Sequence, residues 1–264
     1  MKKTTILAVA LAAGLGYSSA WAAEVVSSNV VGYQKLSIPA NGYALLANPF
    51  VQVGTGSSEE PAGYAINDMF ADDADNSTAG RTAGLGDQMQ VWDTATQGYT
   101  TYFYSSWVNK WALNSTPRAA TTDSFEAGDG YWYLNRGDSE YNLTVSGEVS
   151  TGEVDVTLAP GYTLVCNPFP ADLPLNGESV VFASEGATAG RTAGLGDNIQ
   201  IWDVENQGYT TYFYSSWVSK WALNSTPRAA TADSIPAGQG FWYLNRGDSD
   251  ITITLKSPLA ADAE

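Results

Sequence analysis

Short segments that alternate apolar and polar residues run through most of the chain. They include "QMQVWD" (88–93), "YNLTV" (141–145), "EVDVTL" (153–158) and "ITITL" (251–255). A period of two residues is the pattern of a half-buried β-strand, and Gly- and Asp-containing turns separate the segments. The stretch "YAINDMF" (64–70) is the one candidate for a short helix. The pattern predicts an all-β protein, either a sandwich or a small barrel, with about ten short strands per unit at most.

The strand pattern occurs twice. Residues 78–139 and 188–249 align without a gap, and 50 of these 62 positions are identical. "NGYALLANPF" (41–50) matches "PGYTLVCNPF" (160–169) at an offset of 119, so nine extra residues lie in the first copy, within 51–76. We predict a tandem duplication of one β-domain, with repeat 1 at 23–147 and repeat 2 at 148–258. An acidic tail follows at 259–264.

The first 22 residues have the layout of a secretory signal peptide. Lys2 and Lys3 precede an apolar run at 6–15, and Ala20-Trp21-Ala22 forms a small-residue cleavage site. The apolar run is shorter than the roughly 20 residues of a spanning helix, so we expect no transmembrane segment. We expect a bacterial protein exported to the extracellular space or the outer cell surface, with the periplasm as the alternative.

Composition narrows the function classes. The chain has 12 basic and 28 acidic residues and a net charge of −16, which argues against a nucleic-acid partner because phosphates must be neutralised by Lys and Arg. It has no His, which excludes His-based triads and His metal ligands. Asp87 and Asp93 could form a carboxylate pair of the glycosidase kind, but this would imply twin sites, and we predict no enzymatic activity. Cys166, the single cysteine, replaces Ala47 of repeat 1 and is expected to be a small buried residue.

Two features of the duplicated segment concern charged residues. Arg81, Lys110, Arg118 and Arg136 recur as Arg191, Lys220, Arg228 and Arg246. In so acidic a chain, we expect several of them to pair with Asp87, Asp93, Asp123, Asp138 and their counterparts. The "RGDS" at 136–139 follows an aromatic strand pattern and precedes another strand, which predicts a hairpin turn. The alternative is a cell-adhesion signal, which requires the turn to be exposed.

Candidate ligand-binding residues lie in "GYTTYFYSSWVNKW" (98–111) and its copy (208–221). Exposed Trp and Tyr rings can stack on sugars, and Asn can supply hydrogen bonds. The candidate glycan platform consists of Tyr102, Trp107, Asn109, Trp111, Tyr212, Trp217 and Trp221. The alternative is that these rings fill the core and the contact between the repeats.

A weak candidate for a calcium site is the acidic segment 72–76, with Asp72, Asp73 and Asp75 as oxygen ligands. The alternative is a solvated acidic loop. No other cofactor is expected.

The motif order "GYTLVCNPF", "IQIWDVENQGYTTYFY" and "IPAGQGFWYLNRG" resembles a repeated module of secreted and surface proteins of Gram-negative bacteria. In that module Trp is usual where this chain has Tyr43 and Tyr162. The resemblance implies β-rich extracellular domains and no particular activity. We expect a non-enzymatic structural or surface-associated protein that associates with itself in the envelope or matrix. The alternative is a carbohydrate-binding or adhesin module whose partner is a surface polysaccharide.

Overall fold

The computed structural model describes residues 31–52, 64–71, 76–94, 96–125, 129–149, 152–177 and 186–258. The regular secondary structure of this part of the chain is almost entirely antiparallel β-strand, which confirms the all-β prediction. The predicted signal peptide at 1–22, the calcium candidates Asp72, Asp73 and Asp75, and the tail at 259–264 lie outside the described residues.

The first half of the chain contains ten strands and one short helix in the described residues. Their bounds are β1 Val31–Ile38, β2 Tyr43–Ala47, β3 Phe50–Val51, β4 Tyr64–Ala65, α1 Ile66–Met69, β5 Gln88–Asp93, β6 Gly98–Ser105, β7 Lys110–Leu113, β8 Ser124–Phe125, β9 Gly130–Leu134 and β10 Tyr141–Val149. The helix lies within the segment 64–70 where the sequence indicated one. β10 crosses the predicted boundary between residues 147 and 148.

The second half repeats the arrangement with nine described strands. Their bounds are β11 Glu153–Leu158, β12 Gly161–Cys166, β13 Leu173–Pro174, β14 Asn198–Asp203, β15 Gly208–Ser215, β16 Lys220–Leu223, β17 Ser234–Ile235, β18 Gly240–Asn245 and β19 Ile251–Lys256. β11 has the bounds that the alternation at 153–158 predicts.

Each half is a small sandwich of two main sheets. The five-stranded sheet has the order β2-β9-β5-β6-β7 in the first half and β12-β18-β14-β15-β16 in the second. The smaller main sheet is β1-β10-β3 in the first half and β11-β19 in the second. Two-stranded ribbons, β4-β8 and β13-β17, complete the halves. The sequence duplication is therefore a duplication of a sandwich-like fold.

Alternation along the strands separates the core from the outer face of each five-stranded sheet. On β9, Tyr131 and Tyr133 point into the core of the first half, and Trp132 between them points to the opposite face. On β18, Phe241 and Tyr243 point into the core of the second half and Trp242 points outward. Each five-stranded sheet therefore carries aromatic rings on both faces.

The "RGDS" segment is a loop between sheets, and the hairpin prediction is wrong. β9 pairs with β2 and β5, whereas β10 pairs with β1, so the chain passes from one sheet to the other between them. The side-chain amide of Asn135 directs this crossing, because it donates to the carbonyl oxygens of Ile38, Pro39 and Ser139 at 3.1, 3.1 and 2.9 Å. Asp138 and Ser139 are exposed at the loop tip.

Candidate functional site

The outer faces of the two five-stranded sheets pack against each other. Leu45, Trp132 and Trp242 form a buried cluster at this contact, and Trp92, Leu164 and Trp202 pack around it. A backbone hydrogen bond from Ala47 N–H to the Gly238 carbonyl oxygen, 2.9 Å long, crosses the same contact. The two halves are thus joined by an apolar, mainly aromatic interface.

The aromatic contacts across this interface are reciprocal. Trp92 of the first half meets Trp242 of the second at 5.3 Å between ring centroids, with an interplanar angle of 82°. Trp202 of the second half meets Trp132 of the first at 5.0 Å and 83°. Since 92 and 202, and 132 and 242, are equivalent positions of the repeat, the interface has the pseudo-two-fold pattern of a symmetric dimer.

An open groove lies over this interface and consists of two equivalent half-grooves. The Tyr162 half-groove, of about 280 Å³, is lined by Trp92, Gln97, Tyr99, Tyr162, Gln200, Tyr209 and Trp242. The Tyr43 half-groove, of about 290 Å³, is lined by Tyr43, Gln90, Tyr99, Trp132, Trp202 and Tyr209. Tyr99 and Tyr209 belong to both, so the two half-grooves lie next to each other. We call the whole the aromatic groove.

The described residues that line the aromatic groove are uncharged. Its polar groups are Gln side chains, Tyr hydroxyls and indole N–H groups. The Trp242 Nε1–H group donates to the Tyr209 hydroxyl at 3.2 Å. Burial raises the pKa of Tyr99 and of Tyr209 above the ordinary value, so both hydroxyls are neutral at physiological pH. Tyr43, Tyr99, Tyr162 and Tyr209 are between 41% and 44% exposed and are thus open to a ligand.

The two half-grooves differ in the hydrogen bonds that hold the backbone at Tyr43 and at its equivalent, Tyr162, which we call the rim of each half-groove. Gln207 holds Tyr43 with two hydrogen bonds of 3.1 Å, accepting from its N–H and donating to its carbonyl oxygen. Trp202 Nε1–H donates to the same oxygen at 3.1 Å. In the other half-groove, Gln97 donates to the Thr94 carbonyl oxygen at 2.7 Å, and Trp92 Nε1 has no partner among the described residues. The Tyr162 rim is therefore the less constrained one.

The predicted glycan platform does not form one surface. Trp111, Trp221, Tyr102 and Tyr212 are buried core residues, and the Tyr102 hydroxyl donates to Asp123 at 2.8 Å. A sugar cannot reach these four rings in the folded protein. Their burial follows from strand alternation, which turns them toward the core of each sandwich.

The other platform residues are exposed. Trp107 and Trp217 are 48% and 46% exposed, and each carries arginine guanidinium groups against its ring. Asn109 is exposed in a tight turn at a φ of 48°, where its carbonyl oxygen accepts from the Tyr104 hydroxyl at 3.1 Å. Neither Trp107, Trp217 nor Asn109 is among the residues that line the aromatic groove.

Sequence reasoning missed the groove residues because they come from eight strands, four in each repeat, and from the turn that holds Gln97. A signal was present in "YWYLN" and "FWYLN", where a Trp lies between two inward-facing rings. The alternation places that Trp on the outer face, and its occurrence in both copies indicates that both outer faces are apolar. Two such faces in one chain can bury each other.

The carboxylate pair considered for acid–base chemistry has structural roles. Asp87 is fully buried and accepts hydrogen bonds from Thr78 N–H at 3.0 Å, Tyr133 OH at 3.0 Å and Arg136 N–H at 2.7 Å. Asp93 accepts from the Thr96 hydroxyl at 2.7 Å in the turn after β5. Asp87 thus ties the loop at 78–87 to the end of β9.

The expected pairing of the repeated basic residues with aspartates was wrong for the residues that the structure describes. Arg136 meets Asp87 through its backbone N–H, and its copy Arg246 directs its guanidinium to the carbonyl oxygens of Gly196 and Ala193 at 2.8 and 3.1 Å. The ion pair found in the described ranges joins Lys256 to Glu153 at 2.8 Å. Arg246 is held by backbone carbonyls instead, and Arg81, Arg118, Arg191 and Arg228 lie against tryptophan rings.

Metal and membrane features give little further guidance. Within the described ranges, no group of three or more Asp, Glu, Cys or His residues could hold a metal ion. The calcium hypothesis for 72–76 rests on residues outside those ranges and stays a prediction. The described part of the chain has no helix that is long and apolar enough to cross a membrane.

Comparison with known proteins returned no matching family model, no matching curated protein and no matching solved structure. The resemblance to the Gram-negative surface module therefore stays a prediction.

Proposed function

We propose that this chain is an exported, non-enzymatic binding protein that recognises a neutral polysaccharide through the aromatic groove. The observation that carries this proposal is the composition of the groove: four half-exposed tyrosines and four tryptophans, with Gln side chains and no charged group among them. Aromatic faces suit the apolar faces of sugar rings, and amide and hydroxyl groups suit their hydroxyls. A concave, mostly apolar surface with a few polar groups is the usual form of a ligand site.

The shape of the groove favours a polymer over a single sugar. Two equivalent half-grooves share Tyr99 and Tyr209, so a chain of similar units would meet similar contacts on either side of the pseudo-two-fold axis. Engagement of both half-grooves by one ligand raises the apparent affinity, because the second contact is intramolecular. The predicted signal peptide at 1–22 supports export to a compartment where surface polysaccharides occur.

The proposal is tested by affinity electrophoresis of residues 23–264 in native gels that contain neutral polysaccharides of different linkage. The wild type should be retarded by at least one neutral polymer, and the double variant Tyr99→Ala plus Tyr209→Ala should migrate as in an empty gel. Tyr33→Ala is the matched control, since Tyr33 lies outside the groove on β1 and is 73% exposed. Equal retardation of all three proteins would refute the groove as the binding site.

The self-associating structural role remains a second candidate because of β1. This strand pairs with β10 at the edge of its sheet and exposes two apolar side chains, Val31 (61%) and Tyr33 (73%), followed by Lys35. Exposed edge strands with apolar side chains are templates for pairing with another chain. Sedimentation velocity of wild type and of Tyr33→Lys tests this role. Concentration-dependent assembly that is lost in the variant would support self-association through β1. A wild type that stays monomeric at all concentrations would refute it.

A further inference from the structure

Each repeat presents an exposed tryptophan that is flanked by two arginines. The guanidinium carbons of Arg81 and Arg118 lie 5.4 and 4.5 Å from the centroid of a Trp107 ring. In the second repeat, Arg191 and Arg228 lie at the same two distances from Trp217. We call these two groups the Arg-Trp-Arg clusters. All six side chains belong to exposed residues.

Three loops are fastened together to build each cluster. In the first repeat, the Ser105 hydroxyl donates to the Pro117 carbonyl oxygen at 2.5 Å and accepts from Trp107 N–H at 3.3 Å. Ser106 N–H donates to the Gly80 carbonyl oxygen at 2.8 Å. These bonds place Arg81, Trp107 and Arg118 next to one another although they come from separate loops.

The second repeat has the same bonds, from Ser215 to Pro227 at 2.6 Å and from Ser216 to Gly190 at 2.8 Å. The cluster is thus a built feature of the fold, made by backbone anchors that both repeats reproduce. The relative position of the three side chains is thus fixed by the backbone of the loops that carry them.

The four guanidinium groups contact tryptophan rings. Within the described ranges, Arg81, Arg118, Arg191 and Arg228 form neither an ion pair nor a side-chain hydrogen bond, whereas the equally duplicated Arg246 makes two hydrogen bonds to carbonyl oxygens. All four arginines are exposed, so their N–H groups are accessible to a ligand. Stacking on an indole ring fixes the plane of a guanidinium group and reduces the entropy lost when it binds a ligand.

We propose that each Arg-Trp-Arg cluster binds an oxyanion, and that its natural occupant is a carboxylate or sulfate group of an acidic polysaccharide. The planar N–H fork of Arg matches both groups, and charge-assisted hydrogen bonds of this kind are stronger than neutral ones. A polymer is favoured because the chain carries two equal clusters, and a ligand that repeats its anionic group can engage both. The net negative charge of the protein opposes approach only over a screening length of about 8 Å at physiological salt, so contact with the guanidinium groups decides binding.

The site is independent of the aromatic groove, because none of the six cluster residues lines it. Binding of an acidic polymer to the clusters and of a neutral one to the groove can therefore be lost separately. The variant Tyr99→Ala plus Tyr209→Ala should keep the acidic-polymer affinity of the wild type.

The test is isothermal titration of residues 23–264 at 50 and 200 mM salt with three probes: an oligogalacturonate, a dextran sulfate and unmodified dextran. The wild type should bind one or both acidic probes, more weakly at higher salt, and should not bind dextran through this site. Arg118→Gln plus Arg228→Gln should lose about tenfold or more in affinity. The matched control, Lys110→Gln plus Lys220→Gln, removes the same charge from exposed residues outside the clusters and should change affinity by about twofold or less.

A second double variant keeps the proposal testable if the Gln variant does not fold. Arg118→Lys plus Arg228→Lys keeps both charges and loses the planar fork, so it should bind several-fold more weakly than the wild type. Preference for oligogalacturonate or for dextran sulfate identifies the anionic group.

Three results would overturn the proposal. The first is a wild type that binds neither acidic probe at 50 mM salt. The second is an equal loss of affinity in the Lys control, which would mean that only net charge matters. The third is self-association that disappears in the Arg variants while acidic polymer is not bound, which would assign the clusters to a second copy of this chain.

Discussion

Half-buried asparagine side chains hold the irregular segments of both repeats. Asn67 donates to the carbonyl oxygens of Trp111 and Thr121 at 3.2 and 2.9 Å and accepts from Trp111 N–H at 2.9 Å. Asn176 makes the same three bonds in the second repeat, each 2.9 Å long, to Trp221 and Thr231. The two residues are therefore equivalent, although their offset of 109 differs from the 110 of the aligned segment.

This equivalence refines the alignment of the repeats. The offset falls from 119 at Phe50 to 109 at Asn67 and is 110 from Thr78 onward. The extra residues of the first copy thus lie between Phe50 and Asn67, and the second copy has one additional residue after Asn176. The sequence comparison could not locate these changes, because an apolar residue followed by Asn is too weak a signal without the hydrogen bonds that it makes.

A pair of tyrosines on β9 allows a controlled test of buried hydroxyl groups. The Tyr131 hydroxyl is buried without a hydrogen-bond partner in the described residues, and the second repeat has Phe241 at that position. The Tyr133 hydroxyl donates to Asp87 at 3.0 Å. We expect Tyr131→Phe to leave the free energy of unfolding unchanged or raise it by about 1 kcal/mol, because an unpaired buried polar group is costly.

Tyr133→Phe is the matched control, with the same chemical change two residues away. It should lower the free energy of unfolding by about 1–3 kcal/mol, because Asp87 then loses a donor in a buried site. Urea denaturation of both variants measures the difference. A Tyr131→Phe loss as large as that of Tyr133→Phe would contradict the assignment of the two hydroxyls.

The buried carboxyl of Asp87 predicts a pH effect. Burial raises its pKa above the ordinary 3.8, and its hydrogen bonds from Arg136, Thr78 and Tyr133 offset this only in part. The folded state therefore binds the proton more tightly than the unfolded state. The stability of the wild type relative to Asp87→Asn should rise as pH falls from neutral through the folded-state pKa and level off below about 3.8.

Asp203 supplies a control of opposite sign. Hydrogen bonds from the side chain and backbone of Asn206 lower the pKa of this exposed carboxyl. Its contribution to stability should therefore be lost as pH falls through its folded-state pKa, and Asp203→Asn should lose that slope. Denaturation curves at several pH values test both variants. If the stability that Asp87 contributes fell with falling pH, as expected for Asp203, the folded state would prefer the Asp87 carboxylate, which would contradict the prediction.

At the scale of elements, the sequence pattern predicted strands more reliably than connections. The alternation at 88–93 and 153–158 predicted the bounds of β5 and β11. β11 has one face more buried than the other, whereas β5 is buried or half-buried on both faces, because its outer face packs at the contact between the halves. The link from β9 to β10 was misread because Gly-Asp pairs occur both in hairpins and in loops between sheets. What decides between them is Asn135, whose bonds to Ile38 and Pro39 depend on a distant strand end.

Glycines at the start of β9 and β18 let the two halves approach each other. A Cβ atom on Gly240 would lie 2.9 Å from Leu45 Cγ and 3.2 Å from the Leu46 carbonyl oxygen. At the equivalent Gly130, the nearest atoms are Leu164 Cγ at 3.3 Å and the Val165 carbonyl oxygen at 3.5 Å. The interface is thus tighter at Gly240.

We expect Gly240→Ala to lower the free energy of unfolding by about 1–3 kcal/mol through overpacking at the contact between the halves. Gly130→Ala should cost less, since the nearest atom to its added methyl group lies at 3.3 Å rather than 2.9 Å and needs a smaller shift. Calorimetric unfolding of the two variants gives the comparison. Equal effects, or a larger effect at Gly130, would contradict the packing described for this interface.

At the scale of the whole molecule, the duplication predicted two units but not how they pack. The reciprocal contacts of Trp92 with Trp242 and of Trp132 with Trp202 turn the two repeats into an intramolecular pseudo-dimer. The sequence pattern indicates that the outer face of each five-stranded sheet is apolar, but it does not indicate that these two faces pack against each other. The aromatic groove exists only where they meet, so its residues could not be grouped from the sequence.

None of the predicted platform residues lines the aromatic groove. Trp111 and Trp221 stabilise the cores, and Trp107 and Trp217 hold arginines. The rings left for stacking on a sugar are those of the groove, above all Tyr99 and Tyr209, which both half-grooves share.

The most direct measurement is titration calorimetry of the wild type, Tyr99→Ala plus Tyr209→Ala, and Tyr33→Ala with a soluble oligosaccharide of the neutral polymer that retards the wild type in gels. A ligand that spans both half-grooves should bind the wild type and Tyr33→Ala at one per chain. It should bind the double variant about fivefold or more weakly, since two stacked rings at about 0.5–1.5 kcal/mol each contribute about 1–3 kcal/mol. Unchanged affinity in the double variant, or two independent ligands per wild-type chain, would contradict a single shared groove.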